Sequence, residues 1–155
     1  MKLSKHATIV SAIVTGVATL AVVQPAGGHI EQANSSAHTL RGTETGHLRL
    51  RRASGSLLYE EGPASGPLRG HMVARLDLGA TFSGSFFVYT REGSIAGHGT
   101  ASPHGSGRYK SFAGTLVLTG GTGRYARARG HAGLYGTFDQ RTDDLVIQTT
   151  GSFTY

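Results

Sequence analysis

The sequence predicts an all-β domain, an eight-stranded antiparallel β-barrel, and three observations lead there. From Thr39 onward the apolar residues recur with period two, and no helical period of 3.6 is visible. The candidate strands are short and separated by Gly-, Pro- and Asp-containing turns at hairpin spacing. Glycines also fall inside the strand patterns, at Gly84, Gly97, Gly99, Gly114, Gly133 and Gly136. Such positions relieve crowding in sharply coiled strands or leave room for a ligand. A two-sheet sandwich fits the same strand count. The internal glycines favour the closed barrel, whose interior side chains just fill it or leave space for one small ligand.

The elements follow in order. Leu48 and Leu50 alternate between charged neighbours, and Ser56 to Glu61 forms a short strand closed by a loop over Gly62-Pro63-Ala64-Ser65-Gly66-Pro67. Met72, Ala74, Leu76 and Leu78 then alternate with His71, Val73, Arg75 and Asp77, the pattern of a strand with one wet face. Thr81 to Thr90 is the clearest strand, with Phe82, Phe86 and Val88 on one face and Phe87 and Tyr89 on the other. A turn over Arg91-Glu92-Gly93 leads to a Gly-spaced strand from Ser94 to Ala101, then a loop from Ser102 to Gly107. Tyr109 to Thr119 carries Phe112, Leu116 and Leu118 on one face. Gly130 to Phe138 and Leu145 to Tyr155 complete the set, separated by a turn over Asp139 to Asp143.

Between the strands that end at Thr119 and begin at Gly130 lies Gly120-Gly121-Thr122-Gly123-Arg124-Tyr125-Ala126-Arg127-Ala128-Arg129-Gly130. Its glycines echo a dinucleotide fingerprint, but that fingerprint opens a helix of about ten or more residues inside a βαβ unit. Gly130 cuts any such helix short, and the chain that follows reads as strand. A tight corner in a β-barrel accounts for the segment.

The same residues resemble a known family. Gly120-Gly121-Thr122-Gly123-Arg124-Tyr125-x-x-Ala128-Arg129-Gly130-His131-Ala132 is similar to a segment of plant dirigent proteins, and less closely to the corner of allene oxide cyclases and their bacterial barrel relatives. Gly84 to Thr90 with Gly93-x-Ile95-x-Gly97 resembles their central hairpin, and Phe153-Thr154-Tyr155 their closing strand. The resemblance implies an eight-stranded barrel, often a homotrimer, whose pocket shapes a hydrophobic substrate for cyclisation or coupling without metal or organic cofactor. It departs from the dirigent pattern in lacking cysteine and in placing Arg124 and Arg127 beside the corner. Arg129 is the one corner side chain that carries over.

The candidate site residues divide into three groups. Arg129, His131 and Tyr135 are the catalytic candidates, His131 and Tyr135 sharing one strand face as a donor and acceptor pair. Phe86, Val88, Tyr89 and His98 are the ligand-binding candidates, while Gly120, Gly121, Gly123 and Gly130 shape the corner. Adjacent Glu60 and Glu61 would point one inward and one outward; the simpler expectation places both at a wet strand end. Arg75 and Asp77 are either a pocket pair or an exposed salt-bridged face. The eight histidines include no i, i+2 or i, i+4 pair, so no metal site is predicted, and no cofactor is implied.

Formal charge is +6, with twelve arginines among the 15 basic residues and no cysteine. The arginines are scattered apart from Arg49-Arg51-Arg52 and Arg124-Arg127-Arg129, and no aromatic ladder accompanies the first cluster, so nucleic acid is not an expected partner. Residues 1–28 match a signal peptide: Lys2 and Lys5, an uncharged run from Ala7 to Val23, then Gln24-Pro25 and small residues. Residues 29–38 read as a flexible lead-in and 39–155 as the barrel. The expectation is a secreted barrel with no stable membrane anchor after cleavage, binding a hydrophobic small molecule. Its activity would be that of a cofactor-free cyclase or isomerase. The alternatives are a non-catalytic binder of a lipid or secondary metabolite, and a structural surface domain.

Overall fold

The computed structural model describes residues 37–155; the expected signal peptide and most of the lead-in lie outside them. The described chain forms eight strands: β1 (Thr39–Ser54), β2 (Leu57–Ser65), β3 (Gly70–Leu78), β4 (Phe82–Thr90), β5 (Gly93–His104), β6 (Tyr109–Gly121), β7 (Arg129–Asp139) and β8 (Asp144–Thr154). Each pairs antiparallel with the next, and β8 pairs back onto β1 from Thr39↔Thr154 to Arg49↔Asp144, closing a barrel. Closure leaves no edge strand among the described residues and excludes the sandwich. His38, read from sequence as lead-in, extends this seam by exchanging backbone bonds of 3.1 and 3.0 Å with Tyr155.

Two strands continue through prolines at which the sequence suggests a loop. β2 continues through Gly62-Pro63-Ala64, with Pro63 opposite His71, so the predicted loop shrinks to the residues around Pro67. β5 likewise continues through Ser102-Pro103-His104. A proline removes one donor from the ladder and fixes φ in a range that extended backbone accepts, so it thins the pairing without ending the strand.

Alternation decides what faces inward, because successive side chains leave a strand on opposite sides. Leu48, Leu58, Met72, Ala74, Val88, Ile95, Ala101, Phe112, Leu116, Leu118, Phe138, Leu145, Ile147 and Phe153 form one buried cluster inside the barrel. The glycines in the strands make room for it: a Cβ at Gly136 would overlap the Phe112 ring, and one at Gly97 would lie 2.7 Å from Phe86 Cζ.

The Gly120–Gly130 segment is a corner, as read. Beyond β6 the chain makes a single 3-10 turn over Gly123–Tyr125 and enters β7. Gly123 has φ +58°, a conformation that costs an L-residue about 1–2 kcal/mol. The corner is pinned to the β4–β5 turn: Thr122 N–H donates to Ser94 O at 2.8 Å, Arg124 N–H to Glu92 O at 2.9 Å, and Ser94 N–H to Thr122 Oγ1 at 3.0 Å. This directs the buried Tyr125 and Ala128 over one end of the barrel, with the Tyr125 ring edge-on to Phe153 at 6.4 Å.

Candidate functional site

The barrel interior is incompletely filled. A cavity of about 120 Å³ runs between Leu40, Gly42 and Phe153 at one end and Leu78 and Phe82 at the other. Its wall is apolar: Met72, Leu76, Phe86, Val88, Leu116 and Leu134 are typical. Cross-strand partners Glu44 (β1) and Thr149 (β8) bring polar side chains into it from the inward-facing parity. Ser83, Ser85, His131 and Ser152 border it from the outward parity.

Glu44 is the chemically distinctive group. It is buried, at 8% exposure, and accepts a 2.8 Å hydrogen bond at Oε2 from the Leu68 backbone N–H. Its other oxygen, Oε1, is buried and has no partner. Burial pushes the carboxyl above its ordinary 4.5, and the Leu68 bond opposes the shift. The donor comes from the β2–β3 loop, which folds over this end of the barrel. There Gly66 adopts φ +132°, and a Cβ on it would lie 2.7 Å from Glu44 Oε2. Pro67 packs on Gly42 in turn, where an added Cβ would come within 2.8 Å of the proline ring. The loop therefore fits the carboxylate closely and leaves only Oε1 uncommitted.

A second inward carboxyl overturns the wet-end expectation for its strand. Glu60 is 1% exposed and both of its oxygens are buried without a partner. Desolvation, reinforced by the nearby charges of Asp143 and Asp144, pushes its pKa up to about 8, so it is largely protonated at neutral pH. It lies outside the cavity wall. Glu61 has the opposite parity and meets Arg51 at 2.8 Å and His71 at 3.7 Å on the outer surface.

The sequence-predicted site residues separate by the same parity. Phe86 and Val88 line the cavity as expected. Tyr89 and His98 do not point into it: both are exposed on the outer wall, Tyr89 stacked against Phe87 at 6.2 Å. Arg129, His131 and Tyr135 are exposed as well, opposite in parity to the inward Ala132, Leu134 and Phe138. The Arg129 guanidinium donates 2.7 Å to the Ala128 carbonyl, a bond that braces the corner. Tyr135 lies along its strand, so that a Cβ on Gly133 would sit 2.9 Å from its ring. The proposed catalytic trio is thus an outer-wall row. Arg75 and Asp77 are also exposed, and Arg75 packs over the Tyr59 ring at 5.7 Å instead of entering a pocket.

Glu44 escaped the sequence reading because its neighbours Thr43 and Thr45 are polar and glycines occupy 42 and 46. The signal was present in parity: Leu40 and Leu48 lie four residues to either side of it. Among the described residues, no three His, Cys, Asp or Glu side chains gather as a metal site.

Fold and site together define a small closed β-barrel with an apolar internal cavity and one half-satisfied carboxyl in its wall. No family model, no curated protein and no solved structure matches the chain.

Proposed function

We propose that this chain is a secreted barrel that binds a small apolar molecule in its interior. The observation that carries the reading is the cavity of about 120 Å³, apolar on nearly all sides, in a barrel whose core is otherwise filled. An apolar cavity of about 150 Å³ stays dry and takes up benzene, so a void of this size suits a ligand of a single ring or a short hydrocarbon. The signal-peptide pattern of residues 1–28 supports secretion, and the resemblance of the glycine corner to dirigent proteins supports a ligand-holding barrel that assembles as a homotrimer.

A cofactor-free cyclase or isomerase is the catalytic form of the same reading. It rests on Glu44, because a buried carboxyl with a raised pKa and an uncommitted oxygen can give or take a proton beside a bound substrate. Arg129 and Tyr135 lie outside the cavity lining, and His131 borders the cavity only from the exposed, outward parity.

The test is toluene binding to the barrel domain, followed by ligand-observed NMR and thermal shift. Saturable binding with a rise in Tm is expected, and Ala132→Leu, which fills the cavity from β7, should abolish it. Absence of toluene binding at millimolar concentration, or equal binding by Ala132→Leu, would refute the reading.

A further inference from the structure

We infer that the ligand carries a hydrogen-bond donor head, an ammonium above all, which sits on Glu44 Oε1, and that the cavity rejects carboxylates. The inference rests on the barrel being a small-molecule binder, and it names the class of molecule.

The buried side-chain oxygens and nitrogens that lack a partner among the described residues are Glu44 Oε1 and the two oxygens of Glu60. Only the first belongs to a cavity-lining residue. A buried polar atom left unpaired costs about 1–3 kcal/mol, more when charged, so the site gains most from a ligand that supplies the missing donor. Glu44 Oε2 is already committed to the Leu68 N–H, which fixes the carboxyl plane and leaves one oxygen for the newcomer. Thr149, directly across the β1–β8 seam, also lines the cavity.

The balance of charge gives the sign of the selection. Among the described residues no Lys or Arg lines the cavity, and the histidine that does, His131, is exposed and outward in parity. An ammonium entering the barrel would meet a carboxylate and form a charge-assisted bond, while the rest of the molecule covers apolar wall. A carboxylate entering it would be desolvated next to Glu44 with no cation to compensate. A neutral hydroxyl falls between the two. The inferred ligand class is therefore small apolar amines first and alcohols second, and fatty or aromatic acids are excluded.

Four molecules of one shape decide it: benzylamine, benzyl alcohol, toluene and benzoate, titrated into the barrel domain by calorimetry near neutral pH. The expected result is benzylamine tighter than toluene by about tenfold or more, as a hydrogen bond to a charged group implies, with benzyl alcohol between them and no heat from benzoate. Glu44→Gln retains an amide oxygen for the Leu68 N–H and should bring benzylamine and toluene to within about threefold of each other. Equal wild-type affinities for benzylamine and toluene, benzoate binding comparable to benzylamine, or an amine preference that survives Glu44→Gln would each overturn the inference. In those cases toluene still binds and the barrel remains a binder; loss of toluene binding itself would instead bring down the underlying reading. The order among the four ligands in the wild-type protein decides the question even where Glu44→Gln fails to fold.

Discussion

Glu44 and Glu60 occupy neighbouring strands, face the same interior, and are surrounded very differently. Glu44 stands where the barrel is hollow, receives one backbone N–H, and has one oxygen left over. Glu60 stands where the barrel is filled and receives nothing, and the charges of Asp143 and Asp144 oppose its ionisation. Both carboxyls are pushed upward in pKa by burial, but only Glu44 belongs to the cavity lining. Desolvation alone therefore does not mark a site. Room for a partner does.

The largest test of this contrast is the pH dependence of stability. Glu60 titrates near 8 in the folded protein against an ordinary value of 4.5. The folded state holds that proton longer than the unfolded chain does, so stability is full below about 4.5 and declines as pH rises. The slope is about 1.4 kcal/mol per pH unit until the folded pKa is passed near 8. Glu44 adds a slope of the same sign. Asp139, held well below its ordinary 3.8 by the Arg108 guanidinium at 2.9 Å, acts in the opposite sense but only in acid, outside this window. Glu60→Gln should remove most of the decline, read from urea unfolding at pH 5, 7 and 9. Parallel wild-type and variant curves would mean that Glu60 has found a partner on folding.

At Glu44 the expected loss is smaller and local. Glu44→Ala leaves the Leu68 N–H without its acceptor, which should cost about 1–3 kcal/mol, with hydrogen-exchange protection falling first at Leu68. Glu44→Gln should retain that protection, and if both variants lose it equally the pinning of the loop is not this bond. The corner at the same end gives a reference whose carboxyl, Glu92, is exposed: Gly123→Ala should cost more than the about 1–2 kcal/mol of its positive φ, because the added Cβ would also overlap the Glu92 carbonyl oxygen. Its chemical denaturation curve should shift equally at pH 5 and pH 8. The smallest effect belongs to Asp144→Asn. Its contact with Arg49 is 4.0 Å long and exposed, so stability should change by no more than about 0.5 kcal/mol. The carbon-13 titration of the Glu60 carboxyl should nevertheless move to lower pH, because one of the charges opposing its ionisation is gone.

Much of the fold was legible and little of the site was. Alternation in β3, β4 and β8 is plain, and the closed barrel follows from it together with the internal glycines. Pro63 and Pro103 led to premature strand ends, since a proline in the sequence does not reveal whether a neighbouring strand needs its missing N–H. The site failed on direction. In β4 both faces are apolar, so Phe86 and Tyr89 look equally suited to a ligand until closure assigns one face to water. In β7 the reactive-looking side chains Arg129, His131 and Tyr135 drew attention from Leu134 and Phe138, whose parity already marked the inward face. Glu61 and the turn residues after it suggest a wet strand end for Glu60, whereas its environment is set by residues from other strands.

The β1–β8 seam has a consequence for how the chain reaches this state. Nearly the whole domain separates Thr39 from its partner Thr154, so β1 must keep one flank open until the last strand arrives. Such high-separation pairing slows folding, and an unpaired flank invites pairing with another chain. β1 is also the strand richest in arginine, with Arg41, Arg49, Arg51 and Arg52 exposed along its outer face. Their like charges discourage a second nascent β1 from docking on the open flank, while Asp144 at the start of β8 offers Arg49 an opposite charge.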